Sequence, residues 1–178
     1  MQTILSLLRG INVSGQKKIV MSDLRKLYEE LKFKNVQTYI QSGNVVFQSS
    51  SSKNPSHQIE QKIFDYYKFE VSVMTRTLEE LETIISNNPY AKKKNIENDK
   101  LYVIFLSEVP EQKYIFLVEN KNDSDLFTIL GKEIYLYIPN GYGKTSLNNN
   151  FFENKLKLTA TTRNWKTVNT LLDMMKKL

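Results

Sequence analysis

Val36-Gln37-Thr38-Tyr39-Ile40 and Val45-Val46-Phe47 flank the tripeptide Ser42-Gly43-Asn44. Two β-branched and aromatic runs around a Gly-Asn turn read as an antiparallel hairpin. Working outward from it, residues 3–8 form a short apolar run that ends at Arg9-Gly10, and this reads as a buried strand. A loop follows, then Leu24, Leu27, Tyr28 and Leu31 at helical spacing, with Ser22 as the expected N-cap. Downstream, Ser49-Ser50-Ser51-Ser52 reads as a loop. Asn54 caps a helix with Pro55 at its first position and Ile59, Ile63, Tyr66 and Tyr67 inward. Val71 to Met74 closes the set as a strand. The order is β-α-β-β-α-β, the ferredoxin-like split unit.

The remainder repeats that order. Thr77-Leu78-Glu79-Glu80 is a capping-box pattern ahead of Leu81, Ile84 and Ile85. Residues 87–99 are polar, with Pro89 and three consecutive lysines, and read as a linker. Leu101 to Leu106 is an apolar strand, and Pro110 opens a helix to about Val118. Leu126–Leu130 and Glu133–Ile138 form a hairpin around Gly131-Lys132, and a short helix lies near 148–154. Thr159 to Thr161 fits a short strand or a loop. A last helix carries Trp165, Val168, Leu171, Leu172 and Met175, with Thr162 as cap and Arg163 and Asn164 in its first turn. The expected fold class is α+β, with two ferredoxin-like subdomains arising by internal duplication. The expected boundaries are 1–86, a linker at 87–99, and 100–178, with the C-terminal helix packing back toward the first subdomain.

The chain has 178 residues, 40 % hydrophobic and 25 % charged, a globular balance. It contains no cysteine and one histidine. Disulfides, thiolate metal sites and cysteine nucleophiles are excluded. A Ser-His-Asp triad or a multi-histidine metal site is nearly so. No metal site and no cofactor are expected. Met1 to Arg9 is too short an apolar run to cross a bilayer and lacks the basic start of a secretion signal, so the expectation is a cytoplasmic protein without membrane attachment.

Net charge is +6 with a pI of about 9.3. Residues 1–34 hold seven basic against three acidic residues, and residues 144–178 hold seven against two. The middle of the chain therefore carries −3, and both ends are basic. If the ends meet, they form one electropositive face suited to nucleic acid, nucleotides or phosphorylated ligands. The alternative is a solvated lysine surface.

Three stretches resemble a known family: Leu8-Arg9-Gly10-Ile11-Asn12-Val13 with the following Met21; Thr38-Tyr39-Ile40-Gln41-Ser42-Gly43-Asn44-Val45-Val46-Phe47; and Ala160-Thr161-Thr162-Arg163-Asn164-Trp165-Lys166-Thr167-Val168. The sequence is similar to the bacterial family of domain of unknown function 1697, over nearly the whole chain and with the motifs in family order. The resemblance implies a soluble protein of two ferredoxin-like subdomains, with no catalytic residues to carry over. The family pattern places Gly-Gly after Asn-Val and Ser-Lys-Leu after the late glycines. Here Ser14 precedes Gly15, and Thr145-Ser146-Leu147 follows Lys144.

Four constellations bear chemistry. Gly10 and Gly15 allow close backbone approach, while Arg9, Lys17 and Lys18 add charge beside a helix N-terminus; together with Asn12 this is the physics of an anion site. The structural alternative is a turn that needs positive φ. In Thr161-Thr162-Arg163-Asn164-Trp165, an arginine at the positive end of a helix points at something negative. That is either an internal carboxylate such as Asp23 or Glu30, or a ligand held by Arg163, Asn164 and Lys166. Gly141-Tyr142-Gly143-Lys144-Thr145 imitates the end of a phosphate-binding loop, but the first glycine of that motif falls on Ile138, so a tight strand-to-helix loop is the better account. In Gln41-Ser42-Gly43-Asn44, Ser42 and Asn44 sit at a hairpin turn, and Ser42 has no evident base because His57 is the only imidazole. Asp123-Ser124-Asp125 reads as a turn rather than a magnesium site. The strand aromatics show no RNA-recognition pattern.

These residues favour a binding protein for an anionic ligand, nucleotide or nucleic acid. The alternatives are a metal-independent enzyme for a phosphorylated or carboxylated metabolite, or an interaction domain using its sheet edges. Oligomeric state is left open by the sequence.

Overall fold

The structure, a computed structural model, describes residues 1–51, 53–119 and 124–178. Asp123 of the Asp-Ser-Asp turn and Ser52 of the serine loop lie outside the described residues. The chain divides into two compact units, Met1–Thr83 with Thr170–Leu178, and Ile84–Asn169.

The first unit runs β1 (Gln2–Leu8), α1 (Met21–Glu30), β2 (Lys34–Tyr39), β3 (Asn44–Ser49), α2 (Ser56–Tyr67), β4 (Val73–Thr77). Its sheet is antiparallel in the order β2-β3-β1-β4. Alternation along β1 and β3 sends Ile4, Leu8, Val45 and Phe47 to one face. Leu24, Leu27 and Tyr28 of α1 and Ile59 and Ile63 of α2 close over them. The Tyr28 ring meets Phe47 edge-on at 5.3 Å. Leu5, Leu7 and Val46, on the other face, are equally buried.

The second unit runs β5 (Leu101–Leu106), α4 (Gln112–Ile115), β6 (Leu126–Leu130), β7 (Glu133–Tyr137), α5 (Asn149–Leu156), β8 (Ala160–Asn164). Its sheet order, β6-β7-β5-β8, is the same topology. Ile104, Leu106, Ile134, Leu136 and Phe152 form its core. Two helices follow the two sheets' last strands, α3 (Leu78–Ser86) and α6 (Trp165–Lys176). The end of the chain belongs to the first unit. There Gln48 Nε2 donates to the Leu178 carbonyl at 3.0 Å, and Lys176 pairs with Glu82 at 3.0 Å.

The duplication extends to individual hydrogen bonds. Leu8 N donates to the Gly43 carbonyl, and Leu106 N to that of Lys132. Arg9 N donates to Ser72, and Ser107 N to Thr159. Each preceding helix ends on a left-handed lysine, Lys68 or Lys157. A helix glutamate accepts the first amide of each last strand, Glu60 from Val73 N and Glu153 from Ala160 N. Arg76 and Arg163, opposite Leu5 and Val103, are then the matching buried arginines.

Several local expectations change. α1 is preceded by Val20 in extended geometry, and Ser22 lies inside the first turn rather than capping it. α2 begins at Ser56, and Asn54 Oδ1 accepts from both Ser56 N and Oγ. The expected helix from Pro110 to Val118 shrinks to α4, because Phe116 and Leu117 face solvent and give it no buried stripe. The Thr77–Glu80 capping box forms as read: Thr77 N donates to Glu80 Oε2 at 2.8 Å and Glu80 N to Thr77 Oγ1 at 3.1 Å.

The largest change is at residues 160–164. The strand runs to Asn164, so Arg163 is a buried strand residue and not part of a helix turn. Thr162 is not the cap of α6. Asn164 Oδ1 takes that place, accepting from Thr167 N at 2.8 Å.

Candidate functional site

The loop between β1 and α1 is held by one side chain. Asn12, itself at φ 55, donates through Nδ2 to the carbonyls of Ile19 (3.0 Å) and Gln41 (2.9 Å), and its Oδ1 accepts from Ile19 N (2.9 Å). Between those anchors Gln16 N donates to Val13 O, and Gly15 takes φ 74 at the tip. Gly43 presses on the base of the loop. A Cβ there would approach Leu8 Cβ to 2.6 Å and Ile11 Cδ1 to 3.0 Å. Asn44 is fully buried and donates to the Tyr39 carbonyl and to Ser42 Oγ. The Arg9–Val13 and Gln41–Val45 motifs are therefore two sides of one knot, and the carboxamides of Asn12 and Asn44 are spent inside it.

The knot leaves a groove of about 540 Å³ on its outer side, lined by Asn12, Gly15, Lys18, Met21, Ser22 and Gln41 among others. The N-terminus of α1 opens into it without a side-chain cap. Among the described residues, no acceptor meets the amides of Met21 and Ser22, so the positive end of the helix dipole faces the groove. Lys18 is exposed beside it. Lys17 turns away, with Nζ donating to the Glu70 carbonyl at 2.6 Å. Gly10 takes φ 69 in open space. Arg9 is half-buried, its amide on Ser72.

The remaining sequence candidates belong to the second unit. Arg163 is buried, and its Nη1 donates to Thr161 Oγ1 and the Thr162 carbonyl, both at 2.8 Å. Burial lowers its pKa to about 10. The carboxylates suggested for it are engaged elsewhere, Glu30 with Lys62 at 2.7 Å and Asp23 with Lys26 at 3.8 Å. Asn164 and Lys166 are exposed. Lys144 is exposed in the 3-10 turn Tyr142–Lys144, which Tyr142 ties to Thr162 Oγ1 at 2.8 Å. Thr162 and Arg163 leave opposite faces of the sheet, so Arg163 points away from that turn.

A second groove of about 340 Å³ lies between α2 and the approach to β4, with His57, Phe64 and Glu70 in its wall. His57 lines this groove, and Ser42 Oγ accepts from Asn44 Nδ2 at 2.9 Å in the turn of the knot. Among the described residues no three His, Asp or Glu side chains gather as a metal site, and no helix is long and apolar enough to cross a membrane.

Met21 and Gln41 line the groove although neither is among the ligand candidates expected from the sequence. The Gln41 carbonyl accepts from Asn12 Nδ2, 29 positions away. No local pattern encodes that pairing.

None of the curated proteins matches the chain. A solved structure, that of the conserved bacterial protein SP0830 from Streptococcus pneumoniae, is similar at a TM-score of 0.79 and 25 % identity, covering 98 % of each chain. The model of a family described as protein of unknown function DUF1697 matches residues 1–135. The chain belongs to that family.

Proposed function

We propose that the groove at the start of α1 binds a small anionic ligand carrying a phosphate or carboxylate. The observation that carries this reading is the uncapped helix N-terminus opening into a groove walled by Lys18 and by the polar groups of Ser22 and Gln41. Two free amides and the helix dipole favour an anion, and Lys18 supplies the full charge. The volume is within the range of small-molecule sites. A small anion fits better than nucleic acid. Polyanion binding rests on rows of cations, and here Lys17 is drawn to the Glu70 carbonyl, leaving Lys18 as the wall's lysine.

A thermal-shift panel of nucleotides, sugar phosphates and dicarboxylates tests this. A ligand at about 100 times its dissociation constant adds roughly 2.7 kcal/mol of stability. Lys18→Ala should remove most of that shift while leaving the unliganded melting temperature unchanged. No shift with any anion, or one indifferent to Lys18, overturns the reading.

A further inference from the structure

We infer that the outer edge of β6 is a self-association surface, and that its occupant is the same strand of a second copy of this chain. Exposed sheet edges are normally blocked by charge, bulges or covering groups. The duplicated fold allows a direct comparison. The matching edge β2 carries Lys34, a register break between Lys34 and Gln37, and Asn35 in left-handed geometry. The first amides of the other two edges, β4 and β8, are taken by Glu60 and Glu153. β6 has none of these devices. Leu126-Phe127-Thr128-Ile129-Leu130 holds no charge, proline or glycine, its register with β7 is unbroken, and among the described residues no backbone group outside β7 pairs with it.

The direction of the free groups follows from the ladder. Leu106 N donates to Lys132 O and Ile138 N to Lys100 O, so the even-numbered residues of β7 face β5. Glu133, Tyr135 and Tyr137 then bond to Leu130, Thr128 and Leu126. The N–H and C=O groups of Phe127 and Ile129 are left on the outer edge.

That edge is self-complementary. Centred on Thr128, an antiparallel two-fold pairing sets Phe127 against Ile129 of the partner copy in the hydrogen-bonded pairs. Leu126 meets the partner's Leu130, and Thr128 meets Thr128. Every cross-strand pair is apolar or Thr–Thr, the combinations that stabilise sheets. The pairing also covers Leu126 and Leu130, 38 % and 46 % exposed in the single chain. Tyr90 reaches Thr128 Oγ1 at 2.8 Å from the sheet face, which leaves the edge itself open.

The full chain, measured by analytical ultracentrifugation over rising concentration, should shift from 20.8 kDa toward twice that mass. A chain that stays monomeric throughout overturns the proposal. Leu126→Lys with Leu130→Lys places like charges opposite one another and should abolish the dimer, whereas Leu126→Glu with Leu130→Lys places Glu opposite the partner copy's Lys, keeps the acidic group away from Glu133, and should retain it. Equal behaviour of the two double variants, with circular dichroism showing both folded, refutes the register. Because the chain has no cysteine, Thr128→Cys offers a clean second measurement. The two-fold non-hydrogen-bonded pair brings the two thiols within disulfide reach, so oxidation should give covalent dimer, while Leu126→Cys alone should not. Cross-linking equal at both positions also overturns it.

Discussion

Gly43 lies directly against Leu8, so close that a methyl group at position 43 would come within 2.6 Å of the Leu8 Cβ. Neither atom is at the end of a flexible side chain, and Gly43 also holds φ +76. Gly43→Ala should therefore cost about 3 kcal/mol or more, combining backbone strain with displacement of β1. Gly10 has a similar φ of +69 but open space around it. Gly10→Ala should cost only about 1 kcal/mol, the conformational part alone. Urea unfolding of the two variants separates the contributions; equal losses would mean that Gly43 is not packed as described.

Asn164 was a candidate ligand contact, yet its carboxamide caps α6 through Thr167 N. Asn164→Ala should lower stability by about 1 kcal/mol. Asn164→Ser and Asn164→Asp should both recover most of it, since each supplies a cap oxygen. A ligand contact would reject the added negative charge of Asp. The denaturation midpoints of the three variants decide between the roles.

Arg163 bridges two acceptors within β8, and Arg76 repeats part of this by donating from Nη1 to the Thr75 carbonyl at 2.7 Å. Arg163→Ala should destabilise by about 3 kcal/mol, because buried charge-assisted bonds are lost and their acceptors are left in the interior. Arg163→Lys should recover little, since an ammonium cannot reproduce the planar fork. Full recovery by Lys in urea melts would contradict the bridging geometry.

Tyr28 is buried, and its hydroxyl is 2.7 Å from Ser6 Oγ. Burial pushes its pKa well above the ordinary 10. Below pH 10 the hydroxyl is protonated in both folded and unfolded chains, and its contribution is complete. Above pH 10 the unfolded chain ionises first, so stability falls as pH rises. Tyr28→Phe should cost about 1 kcal/mol at neutral pH through the lost hydrogen bond. It should also flatten the alkaline decline by up to about 1.4 kcal/mol per pH unit, one proton's linkage. Unfolding free energies measured from pH 8 to 11 check both; an unchanged alkaline slope would remove Tyr28 as its source.

What the sequence by itself determined was whatever depends on near neighbours. The hairpin at Ser42-Gly43-Asn44, the short apolar runs that became β1, β3, β5 and β7, and the Thr77–Glu80 capping box all follow from turn chemistry, local composition and bonds spanning three residues. From these the β-α-β-β-α-β order and its repetition were legible. Only the tertiary structure decided the rest. Thr161-Thr162-Arg163-Asn164 has the local look of a helix start, but pairing with β5, some 60 positions earlier, extends it as a strand and buries the arginine. Asn12 reads as a ligand residue until Gln41 is brought beside it. In each case the deciding bond joins residues far apart in the chain, and its free energy exceeds the small local preferences on which a sequence reading rests.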